Sequence, residues 1–238
     1  MPISEQTLTK NHLLDALPQE AKARLFPHIK KIELPLGTVI YEAGQQVDYV
    51  YFPVDCIISL LYVMLDGASA EISVVGNEGI VGIAVFMGGQ STPSRALVQS
   101  GGSAWRLPAT ELKGEFNHHP EMRMLMLRYT QALITQMAQT AVCNRHHSID
   151  QQLCRWLLLS MDRLPTSELT MTQELIANML GVRREGVTEA AGKLQKSGII
   201  HYQRGHITVK DRPALEQRCC ECYEVVRRET DRLQGYSV

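Results

Sequence analysis

Long apolar runs are missing from this chain. No stretch approaches the ~20 consecutive apolar residues that a bilayer-spanning helix needs, because Arg or Lys interrupts each run. The opening residues Met1-Pro2-Ile3-Ser4-Glu5 carry neither the basic start nor the apolar core of a secretory signal. We therefore expect no membrane partner and a cytoplasmic location. An excess of charge is missing too: 24 basic against 25 acidic residues leave a formal −1, so any nucleic-acid contact must come from a local basic face. The first 50 residues contain no cysteine. The Gly-rich central region lacks the spaced His-x-His and Glu of a roll-type metalloenzyme. No catalytic constellation and no metal site are assigned, and a non-enzymatic role is expected.

The 238 residues, 45% of them hydrophobic, suffice for two compact domains with separate cores. Residues 5–31 predict a short helical lead, with Leu13, Leu14 and Leu17 at helical spacing, a break at Pro18 and a second helix over Ala21–Phe26. From Ile32 to Leu107, short β-branched and aromatic runs alternate with turn signals: Leu36-Gly37, Ala43-Gly44, Asp66-Gly67, Gly76-Asn77-Glu78-Gly79, Gly88-Gly89 and Gly101-Gly102. Asp66-Gly67 between two apolar runs is a strong hairpin signal. Such spacing predicts an antiparallel β-barrel or roll.

Pro120 suits the first turn of a helix that runs to about Arg145. Met122, Met126, Tyr129, Leu133, Met137 and Ala141 recur along it at spacings of four, three, four, four and four. That stripe fits a helix packed on its own roll, or a helix that pairs with a second copy in a two-fold dimer. The second is the expectation adopted for those six residues. An amphipathic segment, Ile149–Leu164, leads to a joint at Pro165-Thr166-Ser167. The division expected is a roll domain over 1–119, a dimerisation helix and hinge over 120–148, and a DNA-binding domain over 149–238. The overall class is α+β.

Residues 170–212 carry the densest pattern. Thr172 is a good helix N-cap, with Glu174 in the first turn. Leu175, Ile176, Met179 and Leu180 give an apolar face, and Gly181 falls where a tight helix-to-helix turn needs a residue without a Cβ. A second helix from about Arg183 buries Val187, Ala190, Ala191 and Leu194. Its polar start, Arg183-Arg184-Glu185, suits a recognition helix: Arg forks onto guanine O6 and N7, and Glu accepts from cytosine N4. Gln173 and Thr188 lie beside that start. Ile199-Ile200 and Ile207-Thr208-Val209, joined through Arg204-Gly205-His206, predict a wing whose Arg204 and His206 reach phosphates. The segment is a winged helix-turn-helix for double-stranded DNA.

In this order, from Leu13 to Arg212, the chain resembles the cyclic-AMP receptor/fumarate-nitrate regulator (Crp/Fnr) superfamily. Gly37-Thr-Val-Ile-Tyr-Glu-Ala-Gly44 and Asp48-Tyr-Val-Tyr-Phe52 are similar to the family's opening strands, and Arg184-Glu185-Gly186-Val187 to its Arg-Glu-x-Val recognition signature. The resemblance implies a cyclic-nucleotide-binding-like roll, a long dimerisation helix and a homodimer on a palindrome. It also implies Arg184 and Glu185 reading a G·C pair, Thr172, Arg204 and His206 on the backbone, and RNA polymerase as a protein partner. Gly186 replaces a usual Thr or Leu, and Glu189 a common basic residue. In the ligand region Ile83 stands where the ribose-binding Glu belongs, after Gly82, and Ser94-Arg95-Ala96 supply the only match to a phosphate clamp. Met137-Ala138 replaces a hydroxyl pair. The pattern argues against cyclic AMP and leaves a different nucleotide-like effector, a cyclic dinucleotide included, or none.

Three other readings compete: a roll-type metal protein, a redox sensor built on Cys219-Cys220-x-Cys222, and a DNA domain turned protein-contact module. Adjacent histidines on a helix point about 100° apart, so His118-His119 and His146-His147 do not chelate as pairs. Three cysteines in a turn and a half cannot all face one metal unaided.

Overall fold

The computed structural model describes residues 10–235. Helix α1 (His12–Asp15) is capped by Asn11, which accepts from the Leu14 amide and donates to the carbonyls of Pro53 and Gly79 at 2.8 and 3.0 Å. That buried amide ties the helical lead to the roll. Helix α2 (Gln19–Leu25) and a 3-10 turn over Phe26–His28 follow.

Seven strands form the roll: β1 (Lys30–Leu34), β2 (Val39–Tyr41), β3 (Tyr49–Pro53), β4 (Ile57–Val63), β5 (Ser69–Val75), β6 (Arg95–Ser100) and β7 (Gly102–Pro108). They make two antiparallel sheets, ordered β1-β7-β3 and β2-β6-β4-β5. A one-turn helix α3 (Ala84–Met87) lies between β5 and β6. The Asp66-Gly67 turn joins β4 to β5, with Gly67 at φ +85° and the Asp66 carboxylate accepting from the Ala68 amide. The antiparallel roll is thus as expected, and its interior is filled by Val50, Phe52, Ile58, Val98, Trp105 and Leu107, among others.

After α4 (Ala109–His118) comes the long helix α5 (Pro120–His146). Here one expectation is corrected. Met122, Met126, Tyr129 and Leu133 are at most 3% exposed and belong to the roll's own core, and Met137 packs against it. They therefore hold the helix to its own subunit, each burial stabilising by about 1.5–3 kcal/mol, and do not face a partner. Gly79 permits the approach: a Cβ there would stand 2.3 Å from the Tyr129 ring, whose hydroxyl donates to the Ile80 carbonyl. Gln136 completes the seam as a surrogate strand, accepting from the Val74 amide at 2.7 Å and donating to the Val74 carbonyl.

The opposite face of α5 is open. Met124, Leu127, Gln131, Ile134, Ala138 and Ala141 are all exposed, at alternating spacings of three and four, which is the strict a/d repeat of a helix-pairing seam. Met124 and Ile134 are more than half exposed. Of the six residues expected at the dimer interface, Ala141 alone lies on this face.

Helix α6 (Ile149–Met161) starts at Ser148 with a reciprocal capping box to Gln151. It is buried from Gln152 to Ser160 and is the axis of a second core. Then come β8 (Glu168–Thr170), α7 (Gln173–Leu180), α8 (Arg184–Lys196), β9 (Ile200–Gln203), β10 (His206–Val209), α9 (Arg212–Arg218) and α10 (Cys222–Gln234). Ile57, Leu61 and Val74 on the outer face of the roll belong to this second core. Polar links cross the same boundary: Ser59 donates to Gln99, Gln99 to Ser160, and Arg163 pairs with Glu78 at 2.7 Å. The terminal segment forms two helices, broken at Cys219–Glu221. The second, α10, packs along α5 and α6.

Glu71 on β5 is buried, and its Oε2 lacks a hydrogen bond among the described residues. Burial raises its carboxyl to about 7, opposed by Ser59, Arg155, Arg163 and Trp156. Since the folded value lies above the unfolded one, the native state holds the extra proton, and stability falls as pH rises from about 4.5 to 7. Glu71→Gln should gain up to about 3 kcal/mol at pH 8 and almost nothing at pH 4. Urea unfolding at the two pH values checks this; equal effects at both would refute it.

Candidate nucleic-acid interface

Three elements converge at one end of the C-terminal region. Thr172 caps α7, its hydroxyl accepting from the Leu175 amide at 3.2 Å. Gly181, in the left-handed region at φ +65°, then reverses the chain, and Arg183 becomes the N-cap of α8. Ile176, Ala177, Met179 and Leu180 on α7 meet Val187, Ala190, Ala191 and Leu194 on α8 in the second core. This packing fixes the angle between the helices and leaves Arg183, Arg184, Glu185 and Thr188 exposed at the start of α8. Thr188 is held in place: its hydroxyl lies 2.7 Å from Gln173 Oε1 and 3.0 Å from the Arg184 carbonyl.

The wing completes the surface. Strands β9 and β10 pair in register from His206↔Gln203 to Val209↔Ile200, and β8 adds to the far edge of β10. Arg204 and Gly205 take φ +50° and +82°, the two positive values of a tight type I′-like hairpin turn. A non-Gly residue in that region carries backbone strain, and here it throws the Arg204 side chain off the tip. The Tyr202 hydroxyl donates to the Met171 carbonyl, anchoring the wing to the start of α7. His206 Nδ1 lies 3.3 Å from the Thr170 hydroxyl.

Thr172, Gln173, Glu174, Arg184, Tyr202, Arg204 and Gly205 thereby line a single open cleft. It holds two guanidinium groups, the free first turn of a helix and an exposed backbone, a combination suited to a phosphodiester. Five of the eight residues expected at DNA (Thr172, Gln173, Arg184, Arg204 and, through Gln173, Thr188) are drawn together here. Arg183, Glu185 and His206 sit at its margins. Gly186 has a local reason: a Cβ there would meet the Ile149 side chain at 2.6 Å, so α8 rests on the first turn of α6. Glu189 forms an ion pair with Lys193 at 2.9 Å, and Lys193 also reaches Asp150, so this acid is tied to a neighbouring base.

The four ligand candidates in the roll do not converge in this way. Ala96 is packed in the core, and Gly82, at φ +109°, is hemmed by Val50 and Val47. The Ser94 hydroxyl pairs with Thr92 at 3.0 Å. Arg95 pairs with Glu42 through Nη2 at 2.9 Å, its Nε is buried with no partner among the described residues, and strand alternation sets it with Leu97, on the side opposite Ala96 and Val98. With apolar Ile83 against the core, these residues do not fit a cyclic AMP ribose-phosphate.

The cysteines depart most from the sequence-based reading. Cys219 packs at the edge of the second core and also against the cysteine cluster, where Cys220 and Cys222 turn toward Cys143 on α5. His147, the C-cap of α5, joins them, and the four donor atoms lie within 4.8 Å of one another. The help that three cysteines in a turn and a half lacked comes from a helix 77 residues away. Hydrogen bonds from the Cys143 and Cys219 thiols hold Cys220 far below the ordinary thiol range, against burial. The sequence offered no signal for this: Cys143 and His147 are at i, i+4 on a helix, but nothing local placed Cys220 and Cys222 beside them.

Comparison with known proteins supports both halves. Residues 31–119 match the cyclic nucleotide-binding domain, and residues 151–218 the Crp-like helix-turn-helix domain. The global nitrogen regulator of Synechocystis sp. (strain ATCC 27184 / PCC 6803 / Kazusa) is 21% identical over 223 residues, covering 90% of this chain and 99% of that protein. A Crp/Fnr-family transcriptional regulator from Eubacterium rectale superposes with a TM-score of 0.69 at 18% identity, over 91% of this chain and 99% of its own. FixK2 from Bradyrhizobium japonicum gives 0.68 at 17%, over 81% and 98%. No helix among the described residues is long and apolar enough to cross a membrane.

Proposed function

Because the chain belongs to the Crp/Fnr superfamily of transcription regulators, we propose that it acts as a homodimer reading a palindromic DNA site through the helix that starts at Arg184. The observation that carries this reading is the single cleft shared by the first turn of α7, the start of α8 and the wing. In it Arg184 and, beside it, Glu185 meet base edges. The Thr172 region, Arg204 and His206 hold the phosphates on either side.

The open seam on α5 supports the dimer. Pairing two copies through Met124, Leu127, Ile134, Ala138 and Ala141 makes the two α5 helices run side by side about a two-fold axis. The recognition helices then face successive major grooves about 34 Å apart. RNA polymerase is a partner of this reading because a regulator on DNA acts through the transcribing enzyme. The roll serves as scaffold or takes an effector other than cyclic AMP, and any effector acts by binding the two arrangements of the dimer with different free energies.

The test is selection of binding sites from random DNA by the purified chain without added ligand. An enriched two-fold palindrome with a G·C pair in each half is the expected result. Enrichment of an asymmetric site, or of none with and without cyclic mono- and dinucleotides, would refute it.

A further inference from the structure

The cysteine cluster carries a second site. Cys143 Sγ and Cys220 Sγ are 3.6 Å apart, and Cys222 Sγ is 3.5 Å from His147 Nδ1. A tetrahedral zinc ion with Zn–S bonds of about 2.3 Å and a Zn–N bond of about 2.0–2.1 Å requires sulfur–sulfur edges near 3.8 Å and sulfur–nitrogen edges near 3.5 Å. These two of the six edges match, and all four donor atoms lie within 4.8 Å of one another. The Cys143–Cys220 separation is far too long for a disulfide, whose sulfurs lie about 2.05 Å apart, and all six cysteines are free. An iron–sulfur cluster spreads its cysteines over several irons and needs a wider ring.

We propose that Cys143, His147, Cys220 and Cys222 form a mononuclear Cys3His zinc site that clamps the terminal helix α10 to the hinge end of α5.

Three further features support it. First, His147 is set up as a ligand with an outer partner: Nδ1 faces the sulfurs while Nε2 lies 3.4 Å from the Glu221 carboxylate. Zinc-bound imidazoles commonly donate their other N–H to a carboxylate in this way. Second, charge balances. Three thiolates and a divalent ion leave −1, and Arg155 stands next to them, 4% exposed, bonded through Nη1 to Thr140 and with Nε unpartnered among the described residues. A buried cation needs a counter-charge. Third, three of the donors are buried and the fourth half-buried, so the ion would sit out of bulk water with no open position. That is the mark of a structural site rather than a catalytic one.

The site joins chain segments that meet nowhere else in sequence. Cys143 and His147 bracket the last turn of α5, where the helix bends into α6. Cys220 lies in the break between α9 and α10, and Cys222 opens α10. Metal occupancy would therefore fix how the last helices sit against the hinge, and its loss would release α10 from α5.

The experiment is metal analysis of the full chain purified under reducing conditions after growth with zinc, together with cobalt substitution. One zinc per chain is expected, and a cobalt form should show thiolate charge-transfer bands and the visible bands of tetrahedral Co(II). Cys143→Ser and Cys222→Ser should lose the metal, while Cys219→Ser keeps it. Glu221→Gln, at an exposed position that cannot unfold the chain, should weaken zinc affinity about 10- to 100-fold. Sub-stoichiometric metal, zinc retained at the unmutated level in Cys143→Ser or Cys222→Ser, unchanged affinity in Glu221→Gln, iron with cluster absorption, or a Cys143–Cys220 disulfide would each overturn the proposal. None of these readouts involves DNA, so the site stands or falls apart from the proposed regulatory function.

Discussion

Arg184→Ala should cost the dimer about 2–6 kcal/mol on its preferred site, because a bidentate arginine–guanine contact carries about 1–3 kcal/mol of discrimination and the two-fold axis uses it twice. That is roughly a 30-fold to 10⁴-fold loss of affinity. The loss should be confined to sites that keep the G·C pair. Arg184 is exposed at the first turn of α8, and the helix beneath it is locked by Val187, Ala190 and Leu194 at 1% exposure or less. Removing the side chain therefore leaves the frame intact. Arg204→Ala supplies the contrast: in the proposed complex the wing tip takes phosphate, so the change should weaken all sequences alike and lower the salt slope of binding by about 1 per half-site. Fluorescence anisotropy on matched and G·C-replaced duplexes at several salt concentrations separates the two. Equal losses on both duplexes for Arg184→Ala would mean that α8 is not the reading helix.

The second large effect is on the dimer. Ile134→Asp places a charge at the middle of the exposed α5 seam, opposite its own copy about the two-fold axis. Burying that pair is prohibitive, so the variant should sediment as a monomer at micromolar concentration. Its affinity for the full palindrome should drop about 10²- to 10⁴-fold, the contribution of tethering two half-site readers together. The fold should survive, because Ile134 is 56% exposed and takes no part in the roll core. Leu133→Ala, one residue away, should behave in the opposite way. It opens a cavity between α5 and the roll, costing about 2–5 kcal/mol of stability, but leaves association unchanged well below the melting temperature. Sedimentation equilibrium and thermal unfolding on the pair decide this. A monomeric Leu133→Ala with a dimeric Ile134→Asp would restore the dimer role to the buried stripe.

That exchange of neighbouring residues shows where sequence reading succeeds and where it stops. The hairpin at Asp66-Gly67 and the helix-turn-helix at Gly181 were legible because a positive φ leaves a local mark in the residue type. The exposed Arg-Arg-Glu start of α8 and the wing tip were legible for a similar reason, since both are short-range features. The two stripes of α5 were both present in the sequence, but the stronger hydrophobic one does not say whether it meets a roll or a copy. The roll won, because Met122, Met126, Tyr129 and Leu133 face an apolar sheet already tethered in the same chain, whereas the weaker 3,4 repeat had only one large β-branched residue to announce it. The Arg95–Glu42 pair, 53 residues apart, left no mark in the local sequence. The metal-binding set was illegible on the same grounds: its ligands lie in two segments that only the packing of α10 on α5 brings together.

The face shared by the roll and the C-terminal region bears on how such proteins can be recombined. Ile57, Leu61 and Val74 belong to the sheet by sequence and to the reader's core by packing, and Glu78 and Gln99 answer Arg163 and Ser160 across the same boundary. A chimaera that grafts only residues 149–235 onto another roll would set this region against a foreign floor, with an unanswered guanidinium and a core missing three of its apolar side chains. The transferable module is therefore discontinuous: the reader together with the outer faces of β4 and β5, a unit that no single cut in the chain can excise.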